Sequence, residues 1–213
     1  MAYQPGVKSS NESQYFGPTC LFKFRGGAIT CVPREVIDKY PNFAGSVYTQ
    51  QPMGQPIKFD VTGRVGHTIV HLLFTGTYQT LPPPVDEKAK EPSGAFIEAL
   101  EVYQQAVIYG LEDLAELATE EIARQGEGES FASIVKGVCG VDDMFEGANQ
   151  WLGGYLASRA TMTNEKVTEE NIQKLEFIHG VSPLVDILLE ANMKLKFQLQ
   201  EVKEELSEAS SMQ

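Results

Sequence analysis

Apolar positions along the chain follow two rhythms, and the change between them marks the predicted elements. Leu21-Phe22-Lys23-Phe24 and Ala28-Ile29-Thr30-Cys31-Val32 are short β-prone runs separated by Arg25-Gly26-Gly27. Two glycines between such runs predict a hairpin turn. Ile57-Lys58-Phe59-Asp60-Val61 alternates apolar with polar residues, the two-residue period of a half-buried strand. Pro33, ahead of Arg34-Glu35-Val36-Ile37, predicts a helix start, because its missing N–H would be unpaired in a first turn anyway. The period then lengthens: Val65, Ile69, Leu72 and Leu73 predict a helix that stops at Gly76.

A polar, proline-rich break follows, from Leu81-Pro82-Pro83-Pro84 to Pro92-Ser93-Gly94. Its prolines disfavour helix and sheet alike, so it is expected to be a solvated loop. Beyond it Phe96, Leu100, Tyr103 and Val107 recur at steps of three and four and are expected on one buried helical face. Gly110 interrupts, which places it just past a helix end. Leu111, Leu114, Leu117 or Ala118, and Ile122 restart the rhythm, with Glu112, Asp113 and Glu116 near the positive end of the new helix dipole. These features predict a helical hairpin.

Past residue 125 the pattern is helical throughout. Gly126-Glu127-Gly128-Glu129-Ser130 is a linker, and the helix after Ser130 uses Phe131, Ile134, Val135 and Val138. Asp142-Asp143 precede another, with Phe145, Ala148, Trp151, Leu152 and Tyr155 on its apolar face. Thr168-Glu169-Glu170 opens a third and Gly180 closes it. Ser182-Pro183 starts the last one, with serine as cap and proline at the first helical position. In that last helix Val185, Leu188, Asn192, Leu195, Leu199, Val202 and Leu206 step alternately by three and four, a heptad seam of about three repeats. Asn192 falls at an a position, where a polar residue specifies register. The seam is a candidate for self-association as a coiled coil, for a different partner, or for packing on the chain's own domain.

The segments 71–78 and 96–118 resemble, in order and content, the BTB/POZ domain in the divergent form common in filamentous fungi. Leu72-Leu73-Phe74-Thr75-Gly76-Thr77-Tyr78 is similar to that family's "YxYTGxY"-like helix end, and Tyr109-Gly110-Leu111 with Leu114 to Ala118 is similar to its later "YGL" and "LxxLA" elements. The resemblance extends upstream: BTB domains begin with a strand hairpin and then a helix with a buried aliphatic residue and a later aromatic, places that Val36 and Phe43 would fill. Many animal members carry a histidine after the second strand and an acidic residue near the first. Here the segment is Cys31-Val32-Pro33-Arg34, whose Val-Pro pair is familiar among fungal members. The missing polar pair lies near a dimer interface in several subfamilies, so BTB-type homodimerisation is not implied.

The expected class is α+β: a small BTB/POZ-like sheet packed with helices, then an all-helical extension ending in a long amphipathic helix. The expected divisions are a disordered tail over 1–14, a BTB/POZ-like domain over 15–125, a helical extension over 126–181 and a C-terminal coiled-coil-like helix over 182–213.

Composition narrows the function. Of 213 residues, 29 are acidic and 17 basic, a net charge of −12 with no basic cluster, which disfavours direct nucleic-acid binding. Cys20, Cys31 and Cys139 are odd in number and unpatterned, unlike a disulfide framework. No apolar run approaches a membrane span and the first residues do not read as a secretory signal, so an intracellular protein, cytoplasmic or nuclear, is expected. His67 and His71 have the i, i+4 spacing that lets two imidazoles share a helical face, and a metal-dependent hydrolase built on them is the enzymatic alternative. Thr68 stands where a metalloprotease has glutamate, and nothing in the sequence places Cys31, a conceivable third ligand, near the two histidines. There is no nucleophile elbow, and Gly26-Gly27 and Gly126-Glu127-Gly128 lack a phosphate-loop pattern. The expectation is a non-catalytic module with no cofactor and no metal, acting by recruiting other proteins. Homodimerisation is one candidate partnership. The other is the cullin-class ubiquitin-ligase scaffold, which helical extensions help some BTB proteins to grip.

Overall fold

The computed structural model describes residues 17–50, 55–82, 92–141, 150–161, 192 and 195–206. Expectations for the N-terminal tail, most of the proline-rich loop, Phe145, Ala148, the Thr168–Gly180 helix and the Ser182-Pro183 cap fall outside these residues. The fold is α+β. Strand β1 (Thr19–Arg25) and strand β2 (Ile29–Pro33) form the predicted hairpin around the Gly26-Gly27 turn. Helices α1 (Arg34–Ile37) and α2 (Pro41–Gln50) lead to strand β3 (Ile57–Thr62), which returns parallel to β1. The sheet order is therefore β2-β1-β3. Helix α3 (Gly63–Thr75) follows β3 at once, and Thr62 caps it by accepting a hydrogen bond from the Val65 N–H at 3.4 Å.

Helices α4 (Gly94–Tyr109) and α5 (Glu112–Gly126) make the predicted hairpin, and α6 (Phe131–Cys139) and α7 (Gln150–Thr161) follow. Ser130 caps α6 through the Ser133 N–H at 3.1 Å. The chain is again helical at 192 and over 195–206, the terminal helix.

The backbone divides into two compact units. One comprises Met1–Leu81 with Gln105–Leu117, the other Pro82–Gln104 with Ala118–Gln213. Both α4 and α5 thus contribute residues to each.

The first unit is built on alternation. Cys20, Phe22 and Phe24 of β1 point inward between exposed neighbours, as do Ile57, Phe59 and Val61 of β3. Phe59 is the hub of an aromatic cluster. Its ring centroid lies 4.9 Å from Phe22, 5.7 Å from Phe24, 6.3 Å from Phe43 and 5.1 Å from Tyr109. Buried aromatic pairs at such spacings add to the area they remove from water. Tyr40 donates to the Leu72 carbonyl at 3.3 Å, and burial, with the Asp113 carboxylate second, raises its hydroxyl pKa.

Two expectations for this unit are corrected. The fully buried aliphatic of α1 is Ile37, while Val36 is only partly buried. The two residues are 100° apart on a single helical turn, and the turn places Ile37 inward. Val107 is 50% exposed, and Ala106 and Tyr109 carry the buried face to the end of α4. With the Tyr109 ring held against Phe43 and Phe59, a residue two positions earlier points away.

In the second unit Phe96 and Leu100 of α4, Ala118 and Ile122 of α5, Phe131, Ile134 and Val138 of α6, and Leu152 of α7 are buried. Trp151 lies 5.3 Å from both Tyr103 and Tyr155, stacked on the latter at 7°. The Ser93 N–H donates to the Glu129 carboxylate at 2.7 Å, and the Arg159 guanidinium donates to the Glu129 carbonyl at 2.9 Å.

Candidate functional site

Two surfaces bear on function, and each lies within one unit. The first is the seam of the terminal helix. Val185 and Leu188 fall outside the described residues. Asn192 is exposed, and Leu195, Leu199, Val202 and Leu206 are 64%, 58%, 53% and 62% exposed. What ties the helix to its own unit is other residues. Phe197 is partly buried against Phe131, Ala132 and Val135, and the Lys196 ammonium stands 5.8 Å from the Phe131 ring centroid, a cation–π contact. The heptad pattern placed the seam residues on one stripe. It gave no warning that Phe197, off the stripe, would be the anchor.

The second surface is an open cleft of about 350 Å³ beside β2 and α3. Phe24, Ala28 and Ile29 line one side, and Gly66, Val70 and Phe74 lie across from them. Ile29 and Phe74 present exposed apolar surface there, at 58% and 46%. His67 and His71 also line it, their rings stacked 5.9 Å apart. The sequence alone favours one histidine facing outward and one packed; instead both are half-buried and share a face, as the i, i+4 spacing allows. His71 Nε2 is 3.1 Å from the Thr77 hydroxyl, which is itself 2.9 Å from the Thr75 hydroxyl. Among the described residues, no group of three or more His, Cys, Asp or Glu side chains could hold a metal ion. Cys31 sits on the exposed side of β2, with its sulfur 3.7 Å from the Thr19 hydroxyl. A catalytic zinc usually has three protein ligands and an open position, and the two imidazoles would supply two of them.

Some polar side chains are shifted by structure alone. Tyr48 donates to Asp38 at 2.7 Å, and burial first, then that hydrogen bond, pushes its pKa well above the ordinary value. Arg124 grips Glu121 through two hydrogen bonds of 2.6 and 2.8 Å and lowers its pKa. Among the described residues, Cys20, Cys31 and Cys139 form no disulfide, and no helix is long and apolar enough to cross a membrane.

Comparison with known proteins places this chain near fungal sequences. A profile of the family described as the HAC6 N-terminal domain matches residues 32–128, from the end of β2 to just past α5. Two curated relatives from two strains of Aspergillus fumigatus, each named a subtelomeric hrmA-associated cluster protein, are 31% identical over 151 residues. That region is 70% of this chain and 37% of each relative, so the chain spans well under half the length of the proteins it matches. These descriptions name neither an activity nor a BTB/POZ domain. No solved structure matches.

Proposed function

We propose that this chain is a non-catalytic protein–protein interaction module, a BTB/POZ-like scaffold or adaptor that works by recruiting partner proteins. The observation that carries the reading is the order of elements in the first unit. A strand hairpin, two short helices and a third strand parallel to the first are followed by a helix ending at Gly76 and a hairpin turning at Gly110. This is the arrangement on whose segments the resemblance to BTB/POZ rests. Exposed apolar side chains at Ile29 and Phe74, which line one cleft, support a binding role, since contiguous exposed apolar surface marks contact sites.

The test is purification of the full chain from cells that express it, under mild conditions, beside the double variant Ile29→Asp/Phe74→Asp. The reading expects a stoichiometric partner that is lost from the variant while its circular dichroism and melting are unchanged. A cullin among the partners, lost when the 96–118 hairpin is disrupted, would make the module a ubiquitin-ligase adaptor. Recovery of the chain alone, with stoichiometric zinc and a hydrolytic activity that both vanish on substituting His67 or His71, would overturn the reading.

A further inference from the structure

The terminal helix has two unlike faces. Phe197 and Lys196 fasten it to the Phe131 cluster of its own unit. A helix turns 100° per residue, so the stripe of Leu195, Leu199, Val202 and Leu206 is centred about 170° around the axis from Phe197. The packing that holds the helix therefore leaves the stripe outside, with each of the four residues more than half exposed. An amphipathic helix ordinarily buries its apolar stripe against the core, and here the stripe points the other way. Single exposed leucines are ordinary, but four in a three-four rhythm fit the holes of a helix with the same spacing.

We infer that the seam pairs with the seam of a second copy of this chain, parallel and in register. Asn192 selects this occupant. It is exposed and lies at an a level of an otherwise apolar seam. Against an apolar groove its amide would lose water and gain no hydrogen bond. Against the same residue of an identical helix each amide has a donor and an acceptor to meet. Parallel, in-register pairing sets 192 opposite 192 and matches the whole stripe, whereas an antiparallel pair centred on 192 would set Val202 and Leu206 opposite positions 182 and 178, ahead of the seam. The flanking charges agree. In parallel pairing Lys203 flanks Gln198 of the second copy, whereas antiparallel pairing brings Lys196 toward Lys203 of the second copy, two like charges. The inference stands on this helix alone and does not depend on the BTB/POZ-like reading.

Sedimentation equilibrium of the full chain tests it. The wild type is expected at twice the chain mass, and Leu195→Glu/Leu199→Glu at the single-chain mass, with a dissociation constant raised by about 100-fold or more because two charges enter the seam. Both leucines are exposed, so the variant's circular dichroism and melting of the monomer should match those of the wild type. Leu206→Cys reports orientation: under mild oxidation it should form an interchain disulfide that the wild type does not form. A wild type that stays monomeric at hundreds of micromolar overturns the inference. So does a dimer that survives the double substitution, or a dimer in which Leu206→Cys fails to cross-link.

Discussion

Two helices of the first unit end in the left-handed conformation, and a comparison between them isolates the cost of a single methyl group. Gly76 (φ 71°) closes α3, its N–H donating to the Leu72 carbonyl at 2.7 Å. Gly110 (φ 64°) closes α4 in a Schellman arrangement, with the Leu111 N–H donating to the Ala106 carbonyl at 2.8 Å. Alanine at either position carries the left-handed penalty of about 1–2 kcal/mol. Around Gly76 an added Cβ meets nothing within 4 Å, so that penalty is the whole cost. At Gly110 the added Cβ would lie 2.8 Å from the Asn42 Cβ of α2. Comfortable carbon–carbon contact is about 3.5–4.0 Å, so α2 must shift, and overpacking of this kind costs about 1–3 kcal/mol more. Urea denaturation followed by circular dichroism should therefore show Gly110→Ala losing clearly more stability than Gly76→Ala. In an Asn42→Gly background, which removes the obstructing atom, the Gly110→Ala loss should shrink to that of Gly76→Ala. Equal losses in the two single variants, or no coupling between positions 42 and 110, would refute the reasoning.

Other expectations follow from features of the core and surface. Phe59→Ala empties the hub of the aromatic cluster and should cost about 3–5 kcal/mol, a drop in melting temperature of about 6–20 °C for a chain of this size. A drop of only a degree or two would mean the cluster is not the packed centre of its unit. Arg124 holds the Glu121 carboxyl below its ordinary value of 4.5, so the folded state binds that proton less readily than the unfolded state. Its contribution is full above the ordinary value and is lost as pH falls through the lowered one. The stability difference between wild type and Glu121→Gln should accordingly be constant near neutrality and shrink in acid; a difference that grows in acid would reverse the assignment. Metal analysis of purified protein should find zinc well below one per chain and unaffected by His67→Ala or His71→Ala.

Much of the fold could be read from local rules, because the informative residues act over short distances. Strand alternation at Phe22, Phe24, Phe59 and Val61, the stops at Gly76 and Gly110, and the helix start after Ser130 each depend on neighbours a few positions away, and all are where the patterns placed them. Errors arose where a distant contact decides between two adjacent positions. Val36 and Ile37 are equally good aliphatics for a four-residue helix, and only the tertiary packing of α1 chooses Ile37. Likewise Val107 satisfies the α4 rhythm as well as Ala106, and it is the docking of Tyr109 on two phenylalanines that turns it outward. The seam was legible as a stripe from its heptads, but the direction it faces depends on Phe197 meeting Phe131, a contact between residues 66 positions apart. The cleft had no signature, since Ile29 and Phe74 read as ordinary strand and helix residues until β2 and α3 are brought together.

The interleaved threading of the two units has a consequence for how the protein is made. The first aromatic cluster takes three rings from β1 and β3, one from α2, and its last, Tyr109, from a stretch encoded well downstream. During synthesis the opening eighty residues leave the ribosome without that closing ring. They must wait, with Phe43 and Phe59 still open to water, until Gln105–Leu117 has cleared the exit tunnel. A nascent chain stalled or cut before then exposes aromatic surface, which makes the interval between the emergence of Leu81 and that of Leu117 from the tunnel the one in which chaperone protection matters most.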